Sequence, residues 1–219
     1  SDSSMEGPVV RRVGAAYTVP RHPMNIFYNV ATKQEEVDEY NWIYTSRADG
    51  GSGICDDNPA TTTCIEPLDL NTGFDDYIVP IETRIAFSHV INNDPRPHYV
   101  HQGNLTEDKI IYPVLDAVVA DYRRTFSTDA PLQNLRMSQT GRLMLAMQRW
   151  TDGGSKQIRA QWVGRTLTLT NTGSRAVKTP VTVPLGSTRA GVAFGQAWGG
   201  SRSAWVSVPA GRTVTIRLR

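Results

Sequence analysis

Two side chains able to steer charge and protons stand next to each other at Arg21 and His22. They lie in the run Val19-Pro20-Arg21-His22-Pro23-Met24-Asn25-Ile26-Phe27-Tyr28-Asn29-Val30. Prolines 20 and 23 bracket them; each fixes its own φ and drives the residue before it out of the helical region, so the pair is held extended. A cation and an imidazole are thereby presented rigidly at a strand end, which is where α/β folds build their sites. The same residues also suit a stiff strand exit whose Arg and His are simply solvated. The other histidines are His89, His98 and His101, with no His-x-x-x-His among them. On a strand His98 and His101 point to opposite faces, so only one of them can face a site. A histidine at a strand end can equally serve as a structural hydrogen-bonding group.

Arg21-His22-Pro23 resembles the Arg-x-Pro motif of polysaccharide deacetylases. The longer run through Asn25-Ile26-Phe27-Tyr28-Asn29 to Glu36-Val37-Asp38-Glu39-Tyr40-Asn41 is similar to a secreted branch related to the hexosamine-polymer (galactosaminogalactan-type) deacetylases. Pro97-His98-Tyr99-Val100-His101-Gln102-Gly103-Asn104-Leu105, followed by Leu115-Asp116-Ala117-Val118, resembles a further segment of that branch. The resemblance covers roughly residues 1–130. It implies Arg21 as the group that orients the catalytic base, His101 as the acid toward the leaving amine, and Asn25, Tyr28 and Asn29 on the substrate side. It also implies a divalent metal, zinc or a similar ion, that polarises the acetyl carbonyl and activates water. The metal ligands and the base belong to earlier barrel strands in that branch. This chain would bind no metal alone, would be inactive alone, and would need an N-terminal half in the same or a cleaved chain. The opening Ser1-Asp2-Ser3-Ser4 resembles the polar end of such a barrel strand. The partner implied is a polysaccharide. The alternatives are a non-catalytic carbohydrate-binding protein and a structural protein of the cell envelope.

The 219 residues have 39% hydrophobic and 20% charged side chains, an ordinary globular composition with enough apolar material for a core. A net charge of +2 with dispersed arginines sets nucleic-acid binding aside, and no apolar run approaches the length of a membrane span. Cys55 and Cys64 lie in a Gly/Asp/Asn/Pro/Thr loop with no further cysteine, which reads as a local disulfide and hence a secreted, extracellular setting. Asn104-Leu105-Thr106 fits the N-glycosylation sequon.

The elements that must position these groups follow from periodicity. Residues 8–18 read as a strand, and Thr32 with Glu35 as a capping box opening a helix through Val37, Tyr40 and Tyr44. Residues 47–74 form a long turn-rich excursion. A second helix begins at Asp75-Asp76 with Pro80 in its first turn, places Tyr77, Ile81, Ile85 and His89 on one face, and stops before Asn92. A short strand at 98–101, an amphipathic helix over 107–126, a strand over 132–137 and a helix over 140–150 complete the expected α/β part. Past Thr151-Asp152-Gly153-Gly154-Ser155 only short alternating runs remain, separated by turn signals. The fold class expected is α/β: a partial (β/α) deacetylase-type barrel over residues 1–152 and a small all-β sandwich over 156–219. Trp162, Trp198 and Trp205 would either stack on sugar or fill the sandwich core.

Overall fold

The computed structural model describes residues 9–219, which form two compact units. The first comprises Arg21–Tyr122. Strand β3 (His22–Pro23) pairs in parallel with β4 (His98–Tyr99), in the register His22↔His98 and Pro23↔Tyr99. Helices α1 (Lys33–Tyr44) and α3 (Val79–Ile91) intervene in the chain, with the short α2 (Ile54–Asp57) between them. Local chemistry sets their ends. Thr32 accepts from the Glu35 N–H at 3.2 Å while Glu35 takes the N–H groups of Ala31 and Thr32, so the capping box forms as expected. A wider helical turn over Phe74–Ile78 leads into α3, where Pro80 occupies the first turn. The apolar core of this unit gathers Met24, Ile26, Val37, Phe74, Ile78 and Val114 among others.

The second unit comprises residues 9–20 and Arg123–Arg219. Its N-terminal piece is a hairpin, β1 (Arg11–Val13) against β2 (Ala16–Thr18), where a single strand over 8–18 was expected. Gly14, at φ +60°, makes the turn that the β-favouring run conceals. Pro8 and the Ser1-Asp2-Ser3-Ser4 segment lie outside the described residues. Helix α5 (Met137–Arg149) packs Met144 against Val10 and Val19, and Gln148 accepts the Val10 N–H at 3.2 Å. The strand expected over 132–137 does not form. Residues 132–136 are irregular and Met137 already opens α5: the Gln139 side chain takes the Arg136 N–H at 2.9 Å, so the helix starts three residues earlier than its apolar period indicates.

The tail is sheet-rich. One antiparallel sheet has the order β10 (Gln196–Trp198), β11 (Ser201–Val208), β7 (Val177–Pro184). The other has the order β5 (Ile158–Val163), β6 (Thr166–Asn171), β12 (Thr213–Arg217), β8 (Thr188–Arg189), β9 (Val192–Ala193). In β7, Val177, Thr179, Val181 and Val183 are buried and the residues between them exposed, the period of two expected of a strand with one solvated face. Leu169, Val181, Val183, Phe194, Val206 and Ile216 form one apolar cluster fed by both sheets. The three tryptophans do not share a surface: Trp162 is on the five-stranded sheet, while Trp198 and Trp205 are on the three-stranded one. The Trp198 indole N–H is held by the Pro131 carbonyl at 2.9 Å.

Among the described residues the protein is therefore mixed helix and sheet with several small sheets, and no closed barrel forms. The expected barrel strands are reduced to β3 and β4. Helix α4 (Ile111–Thr125) also starts later than the expected 107, because Glu107 and Lys109 have φ of 45° and 53°, outside the helical region. Among the described residues no helix is long and apolar enough to cross a membrane.

Candidate functional site

The Arg21–Tyr122 unit holds every residue singled out for chemistry. The parallel pairing of β3 with β4 brings the Arg21 segment beside the His101 segment: His22 N–H donates to the Pro97 carbonyl at 3.0 Å and Met24 N–H to that of Tyr99 at 3.3 Å. The Arg21 guanidinium lies over the Tyr99 ring, 4.1 Å from its centroid. Its Nε is buried and has no acceptor among the described residues. From Tyr99 the ring contacts run on to His101, 5.8 Å away, and from His101 to Tyr28, 5.9 Å away, both edge to face. His101 is exposed, and so is Tyr28, at 72%.

One buried side chain fixes this arrangement. Asn104, fully buried, accepts the His101 N–H at 2.9 Å and donates its amide hydrogens to the carbonyls of Phe27 and Val30, at 2.7 and 3.1 Å. The turn bearing His101 is thus locked to the arm bearing Tyr28. Gly103 permits the close approach, since a Cβ there would meet the Val30 carbonyl oxygen at 3.1 Å. The sequon at Asn104 accordingly belongs to a side chain with no exposure to offer a sugar. Asn29 is exposed at the arm's tip. Asn25 turns inward instead: its backbone N–H and its amide nitrogen both donate to Glu82, at 3.1 and 2.9 Å.

Sequence reasoning passed over a second cluster in this unit. In-register pairing of β3 and β4 sets His22 beside His98, and α3 delivers His89 to both. His22 stacks on His89 with ring centroids 3.8 Å apart, and Nδ1 of His89 shares a hydrogen bond with Nε2 of His98 at 2.9 Å. His22 Nε2 donates to Asp94 at 2.9 Å, and Arg96 grips the same carboxylate through Nε and Nη2. Burial pushes His98 down to about 4, helped by the neighbouring His22 and His89. Burial likewise lowers His89. Asp94, despite burial that acts the other way, is held well below the usual carboxylate range by its bonds from Arg96 and His22. The signal was the parallel register, which spacing along the chain does not reveal.

The expected disulfide forms between Cys55 and Cys64. The described residues do not fit a divalent ion of the resembled enzymes. Among the described residues the one gathering of three candidate donors is Cys55, Asp56 and Cys64, and both of its thiols are consumed in that disulfide. Comparison with family models, with curated proteins and with solved structures gives no match to the chain.

Proposed function

We propose that this chain supplies part of the site of a secreted, metal-dependent polysaccharide N-deacetylase acting on an N-acetylhexosamine polymer, within a partial (β/α) barrel that continues into a β-sandwich. The observation that carries the reading is Arg21, whose guanidinium is fixed over Tyr99 with a buried Nε lacking any acceptor among the described residues. A buried donor without a partner is costly, and a carboxylate is the acceptor whose geometry fits a guanidinium. In the resembled deacetylases that carboxylate is the general base, carried by the N-terminal half as the same or a cleaved chain. The divalent ion that polarises the acetyl carbonyl in such enzymes would belong to that half as well.

What this chain's own residues would do follows from their placement. Arg21 orients the carboxylate; exposed His101 gives a ring proton to the amine nitrogen as the amide C–N bond breaks. Tyr28, standing edge to face with His101, offers its ring to the apolar face of a sugar, with Asn29 beside it for polar groups. The disulfide and the lack of a membrane-crossing helix among the described residues fit an extracellular setting.

A non-catalytic glycan-binding reading is favoured by a separate observation. Trp162 is 67% exposed, and its indole N–H is already taken by the Gly164 carbonyl at 2.7 Å, which leaves an apolar face open to stacking. The decisive experiment is acetate release from an N-acetylated hexosamine polymer by the longest natural polypeptide that carries this sequence. His101→Ala should lower the rate by about 10²-fold or more, and Arg21→Ala should lower it too. Polymer retention without any acetate release would leave the binding reading in its place.

A further inference from the structure

The arm after β3 carries Tyr28 and Asn29, yet its backbone is held from within by two carboxyl groups to which the mechanism gives no part. Glu82 on α3 takes two donors of Asn25, its backbone N–H and its amide nitrogen. Glu36 on α1 takes the Phe27 N–H at 3.0 Å through Oε2, while its Oε1 is buried with no partner among the described residues. The two residues are 0% and 1% exposed. Carboxyls are almost never buried so completely unless paired, and apolar side chains of similar volume would pack the same space at lower cost. Apolar side chains could not accept N–H donors from an irregular arm that has no strand ladder to satisfy them.

We propose that Glu36 and Glu82 are positioning residues that fix arm residues 25–29 and through them the stance of the Tyr28 ring against His101. This rests on the reading of Tyr28 and His101 as facing the glycan. Three attachments then define the arm: Glu82 at its root, Glu36 at its middle and Asn104 at its far end. Burial raises both carboxyls, and Glu36 is the attachment that answers to pH most strongly. Burial pushes it up to about 8; the Phe27 N–H works against this, and the charges of Glu82 on α3 and Glu39 on its own helix add to it. The hydroxyls of Tyr40 and Tyr44 face the same two carboxyls, with Tyr77 beside Tyr40. At neutral pH Glu36 is an uncharged acid. When it ionises it becomes a second buried anion near Glu82, and the arm loosens.

The test uses the full chain and two readouts, amide hydrogen exchange at residues 25–30 and binding of an N-acetylglucosamine or N-acetylgalactosamine hexamer, at pH 6.5 and pH 9. In the wild type, exchange protection of the arm, corrected for intrinsic rate, should fall between the two pH values, and hexamer binding should weaken with it. Glu36→Gln keeps an acceptor for Phe27 and should hold both readouts constant across this range. Glu82→Gln sets an amide group against one of the Asn25 donors. It should cost the arm roughly tenfold in protection at either pH while α4 keeps its own. An arm whose protection ignores both substitutions overturns the proposal, as does an arm that loosens while hexamer affinity stays unchanged. If the wild type binds no hexamer, the glycan reading falls and the positioning of Tyr28 for glycan falls with it, whereas exchange alone still decides whether the two carboxyls hold the arm.

Discussion

β3 is tied down at its two ends by clusters of opposite electrostatic character. At its start, His22 joins His89 and His98 in a group where burial disfavours the charged forms of His89 and His98, braced by the Asp94–Arg96 pair. Just beyond its end, Asn25 and Phe27 pass N–H groups to Glu82 and Glu36, a group that depends on one carboxyl keeping its proton. One cluster is damaged by acid and the other by base. The difference teaches that burial perturbs the two kinds of group in opposite directions for one reason, the cost of charge away from water.

The largest consequence lies on the alkaline side. Glu36 is raised from 4.5 to about 8, so the folded unit holds a proton that the unfolded chain has lost. Its contribution is present at low pH and disappears as pH rises through that window, by on the order of 5 kcal/mol. Stability of the Arg21–Tyr122 unit, followed by hydrogen exchange in α3 and α4, should fall toward pH 8, and Glu36→Gln should flatten the fall. On the acid side His98 is lowered from 6.5 to about 4, so the unfolded chain takes up the proton first. That contribution is lost as pH drops through the window, by roughly 3 kcal/mol, and His98→Gln should remove it. Between about pH 4.5 and 6.5 the two slopes oppose each other, so the profile should be flat there and fall on either side. A profile without that plateau would separate the clusters into unequal partners.

Asp94→Ala should cost about 2 kcal/mol at pH 7, because it leaves Arg96 and His22 without their shared acceptor in a partly buried setting. Denaturant melting would measure it, and the loss should shrink only below the usual carboxylate range, as pH falls toward the lowered value of Asp94. The smallest effect belongs to the other unit. Trp162→Ala should change stability by less than about 0.5 kcal/mol, since the ring is largely exposed, while any polymer retention by the tail should drop.

How much of this could be read from the chain depends on how local each cause is. The capping box at Thr32 and Glu35, the first-turn Pro80, the disulfide, and the alternation of β7 are encoded within a few residues of where they act. The strand expected over 132–137 failed because Leu132 and Leu135 do not alternate with period two, and the Gln139 side chain captures Arg136 for the helix. The histidine cluster and the Glu82–Asn25 contact were invisible because they bring His22 and Asn25 to residues 57 to 76 positions further on through a two-residue parallel pairing. The strand expected over 98–101 stops at Tyr99, so His101 differs from His98 because it lies beyond the strand, not because it faces the other side of one. The Asn104 lock between Phe27, Val30 and His101 was not legible, since nothing in the sequence marks an asparagine for burial.

The Cys55–Cys64 bond closes a ring whose interior, from Asp56 to Thr63, lies almost wholly at the surface. Exposed tips of this kind are where proteases cut. A single cleavage there would leave both fragments covalently joined, so a nicked molecule would run as one band on a non-reducing gel and as two after thiol treatment. The sulfur bridge thus works as a seam that lets the excursion be severed without the halves parting, a property suited to an environment rich in proteases and poor in reductants.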